Sequence, residues 1–156
     1  MSDKEELRQG VATDVAAIRD LTRAAYAKWV PVIGREPKPM TADYAEALRK
    51  HRFDLLYVEG KLVALIETIR AADHLLIENV AVAPSFWGRG FGRKLMAHAE
   101  TMAASAGLSE TRLYTNKLFA ENVQLYGKLG YLVDREEEFK GGVVVHMRKP
   151  VGYCAL

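Results

Sequence analysis

Hydrophobic residues follow two different patterns along the chain, and segments of the two kinds alternate. Apolar residues three or four positions apart, as at Ile18, Leu21 and Ala25, indicate amphipathic helices. Shorter runs rich in β-branched and aromatic residues indicate strands. Helices are predicted from Thr13 as N-cap to Trp29, after Thr41 as N-cap, over 93–106, and along the stripe of 118, 122, 125 and 129. Strands are predicted over 7–11, 53–59, 62–70, 74–82, 111–115, 131–139 and 143–148.

Glycines and prolines mark the connections between these segments. Pro31 is expected to close the first helix, and the proline-rich stretch VPVIGREPKPM is expected to be a loop. Turns at Gly60-Lys61 and at Lys140-Gly141-Gly142 predict two hairpins, and Gly107 is a natural helix C-cap. Two helices, three strands, a helix, a strand, a helix and a final hairpin give a mixed α/β order.

The segment NVAVAPSFWGRGFGRKLMAHAE, at 79–100, is the most informative part of the sequence. A strand ends before Pro84, which cannot donate to a ladder, and alternating glycines lead to a helix near Arg93. Glycine tolerates unusual backbone angles and lets a ligand approach the backbone closely. Because a helix start and a nest of turn amides both bind anions, we expect a phosphate or pyrophosphate ligand here.

Neither of two common nucleotide-binding patterns fits this turn. The Rossmann pattern G-x-G-x-x-G finds Arg93 in place of its third glycine, and no Walker run G-x-x-x-x-G-K-[ST] occurs. The full spacing V-x-P-x-x-x-G-R-G-x-G instead resembles the coenzyme A loop of the GNAT superfamily of N-acyltransferases. A second segment, TNKLFAENVQLYGKLGYL at 115–132, resembles the other signature of that superfamily, a helix ending in L-Y-x-K-x-G-[FY].

The resemblance implies a fold and a cofactor. The expected fold class is α/β, a single domain over 1–156, with a twisted, mixed, mostly antiparallel sheet of about seven strands flanked by about four helices. In that fold the fourth and fifth strands splay apart, and the pantetheine arm of acetyl-CoA pairs with the fourth strand. The implied cofactor-binding residues are Val80, Ala81, Val82, Gly88, Arg89, Gly90, Phe91, Gly92, Arg93 and Asn122.

Two positions depart from the family pattern. Trp87 stands where the loop usually carries Gln or Arg, and Phe119 stands where the helix often carries Asn. Asn122, one helical turn before Tyr126 and on the same face, is expected to replace the missing Asn as a contact to the pantetheine arm.

Acyl transfer to an amine requires a base for the amine proton and an acid for the departing thiolate. By the motif match, Tyr126 is the candidate acid; the alternative is a core aromatic. Glu78 is the candidate base, because a carboxylate inside the apolar run LLIENV is costly unless it is paired, hydrated or useful. Its alternative is a strand carboxylate that faces solvent or a cation, and this is the preferred interpretation of Glu67. Water could also relay the proton.

Composition narrows the remaining options. The 156 residues carry a net charge of +2, which gives no extended surface for nucleic acid. The single cysteine, Cys154, is expected to be an inert thiol, and no histidine has a second ligand at metal spacing, so no metal is expected. His51 is expected at the surface. A polar N-terminus and the lack of a long apolar run favour the cytoplasm, without membrane contact.

These observations predict an N-acetyltransferase that moves the acetyl group of acetyl-CoA to a primary amine by direct attack. Its partner is a small-molecule or peptide amine of unknown identity. Tyr26, Trp29 and Tyr44 lie on the two early helices, which border the acceptor in this fold, and would suit an apolar or cationic amine. The alternative, favoured no less for Trp29, is that they are plain core residues. The alternatives are another acyl-CoA donor and a non-catalytic acyl-CoA-binding or sensing domain. Family members often dimerise, so a homodimer is also open.

Overall fold

The computed structural model describes residues 4–152, which leaves Cys154 outside the described part of the chain. A sheet of seven strands has the order β1-β2-β3-β4-β5-β7-β6. The predicted α/β fold class is therefore confirmed. The strands are β1 (Glu5–Gln9), β2 (Arg52–Val58), β3 (Lys61–Arg70), β4 (His74–Val82), β5 (Glu110–Asn116), β6 (Leu132–Phe139) and β7 (Gly142–Pro150). The helices are α1 (Val15–Tyr26), α2 (Val30–Ile33), α3 (Lys38–Thr41), α4 (Tyr44–Lys50), α5 (Phe91–Ser105) and α6 (Ala120–Lys128).

The sheet is mostly antiparallel and contains a parallel pair. β1 with β2, β2 with β3, β5 with β7 and β6 with β7 pair antiparallel, whereas β4 and β5 are parallel. The ladder between β4 and β5 runs from His74↔Glu110 to Ile77↔Leu113. β4 continues beyond this ladder to Val82.

Two compact units make up the chain, and the first comprises Met1–Thr68 and Asn79–Met96. Its core joins helix α1 to the sheet. Ile18, Leu21 and Ala25 form the buried stripe predicted for α1, because residues at this spacing share one helix face. They share a core cluster with Tyr44, Phe53, Leu55, Leu65 and Ala81.

The second unit comprises Ile69–Glu78 and Ala97–Leu156. A buried polar network lies within it. The Tyr131 hydroxyl lies 2.7 Å from the Thr111 hydroxyl and donates to Glu100 at 3.1 Å, and Lys149 bonds the same carboxylate at 2.8 Å. Burial raises the pKa of Tyr131, so this phenol stays neutral in the network.

The sequence-based prediction is wrong at the start of both early helices. Thr13 lies in a 3-10 turn, Ala12–Asp14, and the side chain of Asp14 accepts from the Val11 amide at 2.8 Å. For α4 the N-cap is Asp43, which accepts from the Glu46 amide, whereas Thr41 is the last residue of α3. In each case an aspartate two residues or fewer from the predicted threonine accepts a backbone N–H more effectively.

The proline-rich stretch is also not a simple loop. Helix α1 ends at Tyr26, a 3-10 turn follows, and Pro31 lies in the first turn of α2. Proline is tolerated there because first-turn N–H groups have no intrahelical acceptor. The short α3 likewise tolerates Pro39, which lies in its first turn.

Both predicted hairpin turns are present: the first lies one residue earlier than predicted, at Glu59-Gly60, and the second, at Lys140-Gly141, lacks Gly142, which begins β7. Glu59 and Gly60 have φ of 50° and 79°, and Lys140 and Gly141 have φ of 50° and 77°. Two successive positive φ values match the twist of the flanking strands. Leu118, predicted on the buried stripe of the last helix, instead lies outside α6 and is 57% exposed.

Candidate active site

The glycine-rich segment forms a turn between β4 and α5, all within the first unit. β4 ends at Val82, a 3-10 turn follows over Pro84–Phe86, and α5 begins at Phe91. Gly88 and Gly90 have φ of 77° and 82°, which side chains rarely adopt. The glycines are therefore required by backbone conformation. A Cβ at either position would meet no atom within 4 Å, so the space above this backbone is open.

Helix α5 begins two residues earlier than predicted, and this changes which groups an anion would meet. The Lys94 amide donates to the Gly90 carbonyl at 3.0 Å, which is the first turn of the helix. The N–H groups of Phe91, Gly92 and Arg93 therefore precede the first intrahelical donor. Together with the turn they form the kind of N-terminus that binds phosphate. The Phe91 side chain is buried, so a role for this residue would be through its backbone.

The three strand residues predicted to bind the cofactor are the last three of β4. Ala81 is buried in the core cluster that includes helix α1, whereas Val80 and Val82 are half-buried. Trp87 closes the end of this strand, because its indole N–H donates to the Val82 carbonyl at 2.7 Å. The sequence departure at Trp87 thus has a structural role that the usual Gln or Arg was not expected to have.

Helix α1 and helix α4 each place a phenol against β4. The Tyr26 hydroxyl donates to the Asn79 side-chain oxygen at 2.8 Å and lies 3.3 Å from the Val80 carbonyl. The Asn79 amide donates to the Tyr44 hydroxyl at 3.4 Å, and that hydroxyl donates to the Pro39 carbonyl at 2.6 Å. Tyr26 and Tyr44 are thus bound to the strand that precedes the glycine-rich turn.

Glu78 lies in the second unit and is half-buried. The Tyr114 hydroxyl donates to its carboxylate at 2.5 Å. Tyr114 in turn stands opposite His146 in the β5–β7 ladder, with ring centroids 6.0 Å apart, and His146 lies 3.0 Å from Glu137. The contact from Tyr114 orients the carboxylate of the candidate base, and sequence reasoning missed it because the two residues are 36 positions apart.

Glu67 does not face solvent. It is buried, with 4% of its surface exposed, and its carboxylate lies 2.6 Å from Nδ1 of His51. His51 is half-buried, so its predicted surface position is only partly right. Glu67 thus has a side-chain partner across the β2–β3 region rather than a solvent-facing position, and a buried carboxylate is costly without a partner.

Tyr126 lies on α6 in the second unit, with its ring edge-on to Tyr131 at 6.2 Å between centroids. Burial raises the pKa of Tyr126 to about 12. The phenol is therefore protonated throughout the physiological range, as a proton donor must be. Asn122 is half-buried one turn earlier on α6, and the buried Phe119 occupies the N-cap position of that helix.

Metal-ligating groups and membrane-spanning helices are two further features to consider within residues 4–152. Among these residues no three His, Cys, Asp or Glu side chains are grouped so as to hold a metal ion. Within the same range, each helix is too short or too polar to span a bilayer.

The strand, glycine-rich turn and helix described above form the centre of a family match. Residues 15–131 match the model of the Acetyltransferase (GNAT) family. The chain belongs to the GNAT acetyltransferase family. The match spans both sequence motifs from β4 through Tyr131, so the resemblance inferred from them is confirmed.

Solved structures of GNAT enzymes share the fold. The ribosomal-protein-S18-alanine N-acetyltransferase from Escherichia coli aligns with a TM-score of 0.80 at 19% identity, covering 97% of each chain. The PaiA N-acetyltransferase from Thermoplasma acidophilum, in complex with coenzyme A, aligns at 0.78 with 16% identity, covering 94% of this chain and 99% of that one. A chimeric spermidine N-acetyltransferase from Vibrio cholerae aligns at 0.73 with 20% identity, covering 94% and 95%.

Proposed function

We propose that this GNAT protein is an acetyl-CoA-dependent N-acetyltransferase whose acceptor is a primary amine. The turn from β4 to α5 is the observation that carries the proposal. Gly88 and Gly90 hold the positive φ values that open the backbone, and the first-turn N–H groups of α5 follow directly. Such a turn suits a pyrophosphate, because several N–H donors and a helix N-terminus converge on one anion.

The residues of the turn divide the proposed binding between backbone and side chain. Gly88, Gly90, Phe91 and Gly92 would act through their amides, whereas the exposed guanidinium groups of Arg89 and Arg93 would add charge. Val80, Ala81 and Val82 would pair with the pantetheine amides through their backbone, which leaves their side chains to the core. Asn122 is proposed as a further contact to the same arm.

A thioester supplies an activated acyl carbon, and the protein must manage two protons. The attacking amine must lose a proton, and we assign its removal to Glu78, directly or through water. The carboxylate is held by the Tyr114 hydroxyl, so its position is fixed before substrate arrives. The departing thiolate must gain a proton or a hydrogen bond, and we assign this to the Tyr126 hydroxyl. That hydroxyl is available because its raised pKa, about 12, keeps it protonated.

The aromatic residues of the first unit support a chemical class of acceptor amine but not one compound. Tyr26 and Tyr44 hold Asn79 in β4, and Trp29 is buried nearby in the chain after α1. Aromatic residues at these positions support an apolar or cationic amine. The solved relatives named above include a protein alanine N-acetyltransferase and a spermidine N-acetyltransferase, so small and peptide amines both belong in the search.

The test is release of thiol from acetyl-CoA in the presence of a broad amine panel. The panel should contain peptide N-termini, lysine, polyamines, amino acids and aminoglycosides. One amine is expected to accelerate thiol release well above the hydrolysis rate, with the acetylated product identified by mass. Propionyl-CoA and longer acyl donors, run beside it, show whether the acyl group is acetyl.

A non-catalytic acyl-CoA-binding domain is the second candidate. Trp87 favours it, because its bond to Val82 replaces a polar cofactor contact with a structural one. Tight binding of acetyl-CoA without turnover on any amine would support this candidate. We further propose that 1–156 forms one domain located in the cytoplasm; a homodimer stays a prediction for solution scattering.

A further inference from the structure

Three cations in or near the glycine-rich turn, Arg89, Arg93 and Lys61, have no carboxylate partner among residues 4–152. Between Glu78 and Glu100 the sequence contains Arg89, Arg93 and Lys94 but no Asp or Glu. Lys94 pairs with Glu5 of β1. Within residues 4–152, Arg89, Arg93 and also Lys61 of β3 form no ion pair. The first unit therefore carries positive charges at Arg89, Arg93 and Lys61 that no carboxylate of residues 4–152 neutralises.

Two of these cations share one aromatic ring. The Lys61 ammonium lies 5.5 Å from the centroid of the Phe86 ring, and the Arg89 guanidinium carbon lies 4.9 Å from the same centroid. Phe86 itself packs against the buried Phe91, with 6.1 Å between ring centroids. The ring is thus packed against the first turn of α5, and both cationic groups lie within 5.5 Å of its centroid.

The backbone explains why Lys61 reaches this ring. The Ala83 amide donates to the Val63 carbonyl at 2.8 Å, which ties the start of β3 to the end of β4. Lys61 lies two residues before Val63 on the same strand, and Phe86 lies three residues after Ala83. The nearest carboxylate in sequence, Glu59, already accepts from the Lys4 amide at 2.9 Å. Glu59 therefore bonds the backbone of Lys4 and not the ammonium of Lys61.

We propose that Lys61 and Arg89, supported by Phe86, form a subsite for the 3′-phosphate of coenzyme A. This inference rests on the proposed function, because it assigns the adenosine end of the same ligand. Two positive charges beside one ring attract a multivalent anion more strongly than a single charge does, and a phosphomonoester is nearly dianionic at neutral pH. The turn amides, the α5 N-terminus and Arg93 serve the pyrophosphate, which leaves Arg89 and Lys61 for the second phosphate group.

Arg and Lys are suited to this task in different ways. A guanidinium stacked on a ring keeps its N–H edge available for phosphate oxygens, while an ammonium supplies a compact charge. Contact with Phe86 also limits the freedom of both side chains before the ligand binds, which reduces the entropy lost on binding. The subsite is expected to distinguish coenzyme A from its 3′-dephospho form.

The experiment measures binding of coenzyme A and of 3′-dephospho-coenzyme A by titration calorimetry. Wild type should prefer coenzyme A roughly tenfold, as one or two charged hydrogen bonds imply. Lys61→Gln and Arg89→Gln should each reduce this preference several-fold, mainly by weakening coenzyme A. Phe86→Leu should do the same without a change of charge. Adenosine 3′,5′-bisphosphate should compete better than ADP for wild type, but not for the two charge variants.

Lys140→Gln is the matched control. Lys140 also lies over a phenylalanine, 5.3 Å from the Phe139 ring centroid, and its loss changes net charge equally. The Lys140→Gln variant should prefer coenzyme A over 3′-dephospho-coenzyme A as strongly as wild type does. Equal affinity of wild type for both ligands, or a Lys61→Gln variant that weakens both equally, would overturn the 3′-phosphate assignment while leaving the proposed function intact. Absence of any coenzyme A binding by folded wild type would overturn both.

Discussion

At the scale of single residues, the site depends on side chains held by hydrogen bonds. Tyr114 bonds Glu78 across 36 positions and Tyr26 bonds Asn79 across 53, whereas Trp87 bonds the nearby Val82. Glu78 and Tyr126 could be singled out from sequence, one as a carboxylate in an apolar run and one by a motif. The partner of Glu78 could not, because only the pairing of β4 with β5 brings Tyr114 beside it from 36 positions away.

Tyr126→Phe tests the proposed proton donor. Removing the hydroxyl should lower kcat by about 10²-fold, the usual contribution of a general acid, while acetyl-CoA affinity changes little because the ring remains. Steady-state kinetics with one good amine, beside calorimetry, provide both numbers. An unchanged kcat under conditions where chemistry limits the rate would leave Tyr126 as a packing residue.

Glu78→Gln tests the proposed base. The amide keeps the shape of the side chain and loses its basicity, so kcat/KM should fall at neutral pH and recover partly at high pH. Recovery is expected because a lysine-type amine, with a pKa of about 10.4, is then deprotonated in solution. The measurement is a pH–rate profile of both proteins, after cofactor affinity and circular dichroism show that the variant is folded. Superimposable profiles would remove Glu78 from the mechanism.

At the scale of elements, the β4–turn–α5 segment was the most predictable part of the chain. The bounds of β4 agree with the prediction at both ends, since alternating burial marks them. The predicted caps failed at Thr13 and Thr41 because several Asp and Thr residues stand close together, and only the folded backbone selects which one accepts an N–H. The short helices α2 and α3 escaped prediction because proline signals a first turn as well as a stop.

Gly90→Glu tests this segment. The new side chain would strain a backbone at φ of 82° and place a carboxylate where the pyrophosphate is expected, so coenzyme A binding should be abolished. Gly107→Glu is the control, because Gly107 has φ of 76° and equally open space at the end of α5. Calorimetry on both folded variants measures the difference. Near-native affinity in Gly90→Glu would show that the phosphates bind elsewhere.

At the scale of the whole molecule, we expect the phenol of Tyr126 to lower stability at alkaline pH. The pKa of Tyr126 is raised from 10.0 to about 12 by burial. A raised pKa favours the protonated folded state below pH 10, and this contribution is lost as the pH rises toward 12. The free energy of unfolding of wild type should therefore fall more steeply between pH 9 and pH 11 than that of Tyr126→Phe.

Urea denaturation at several alkaline pH values provides this comparison. The other tyrosines and the lysines titrate in both proteins, so their effects cancel in the difference. Parallel losses of stability in the two proteins would mean that the Tyr126 hydroxyl reaches water as easily in the folded state as in the unfolded one.

The overall architecture was predictable because strand order along the sequence and the two motifs pointed to one fold. The division of β4 between two compact units was not, since it depends on which strand each residue pairs with rather than on hydrophobic pattern. The polar network around Tyr131 was also missed, because Thr111, Glu100 and Lys149 each look like ordinary surface residues in sequence.

The hydrogen bond from Trp87 to Val82 also places a fluorescent side chain beside the proposed ligand site. Only two tryptophans occur in the sequence; Trp29 is 7% exposed and Trp87 is 43% exposed. Acrylamide should quench the emission of Trp87 selectively, and that emission should lie at longer wavelength than the emission of Trp29. A ligand seated on the turn would shield the Trp87 indole, so occupancy can be followed by steady-state fluorescence in the unlabelled wild-type chain.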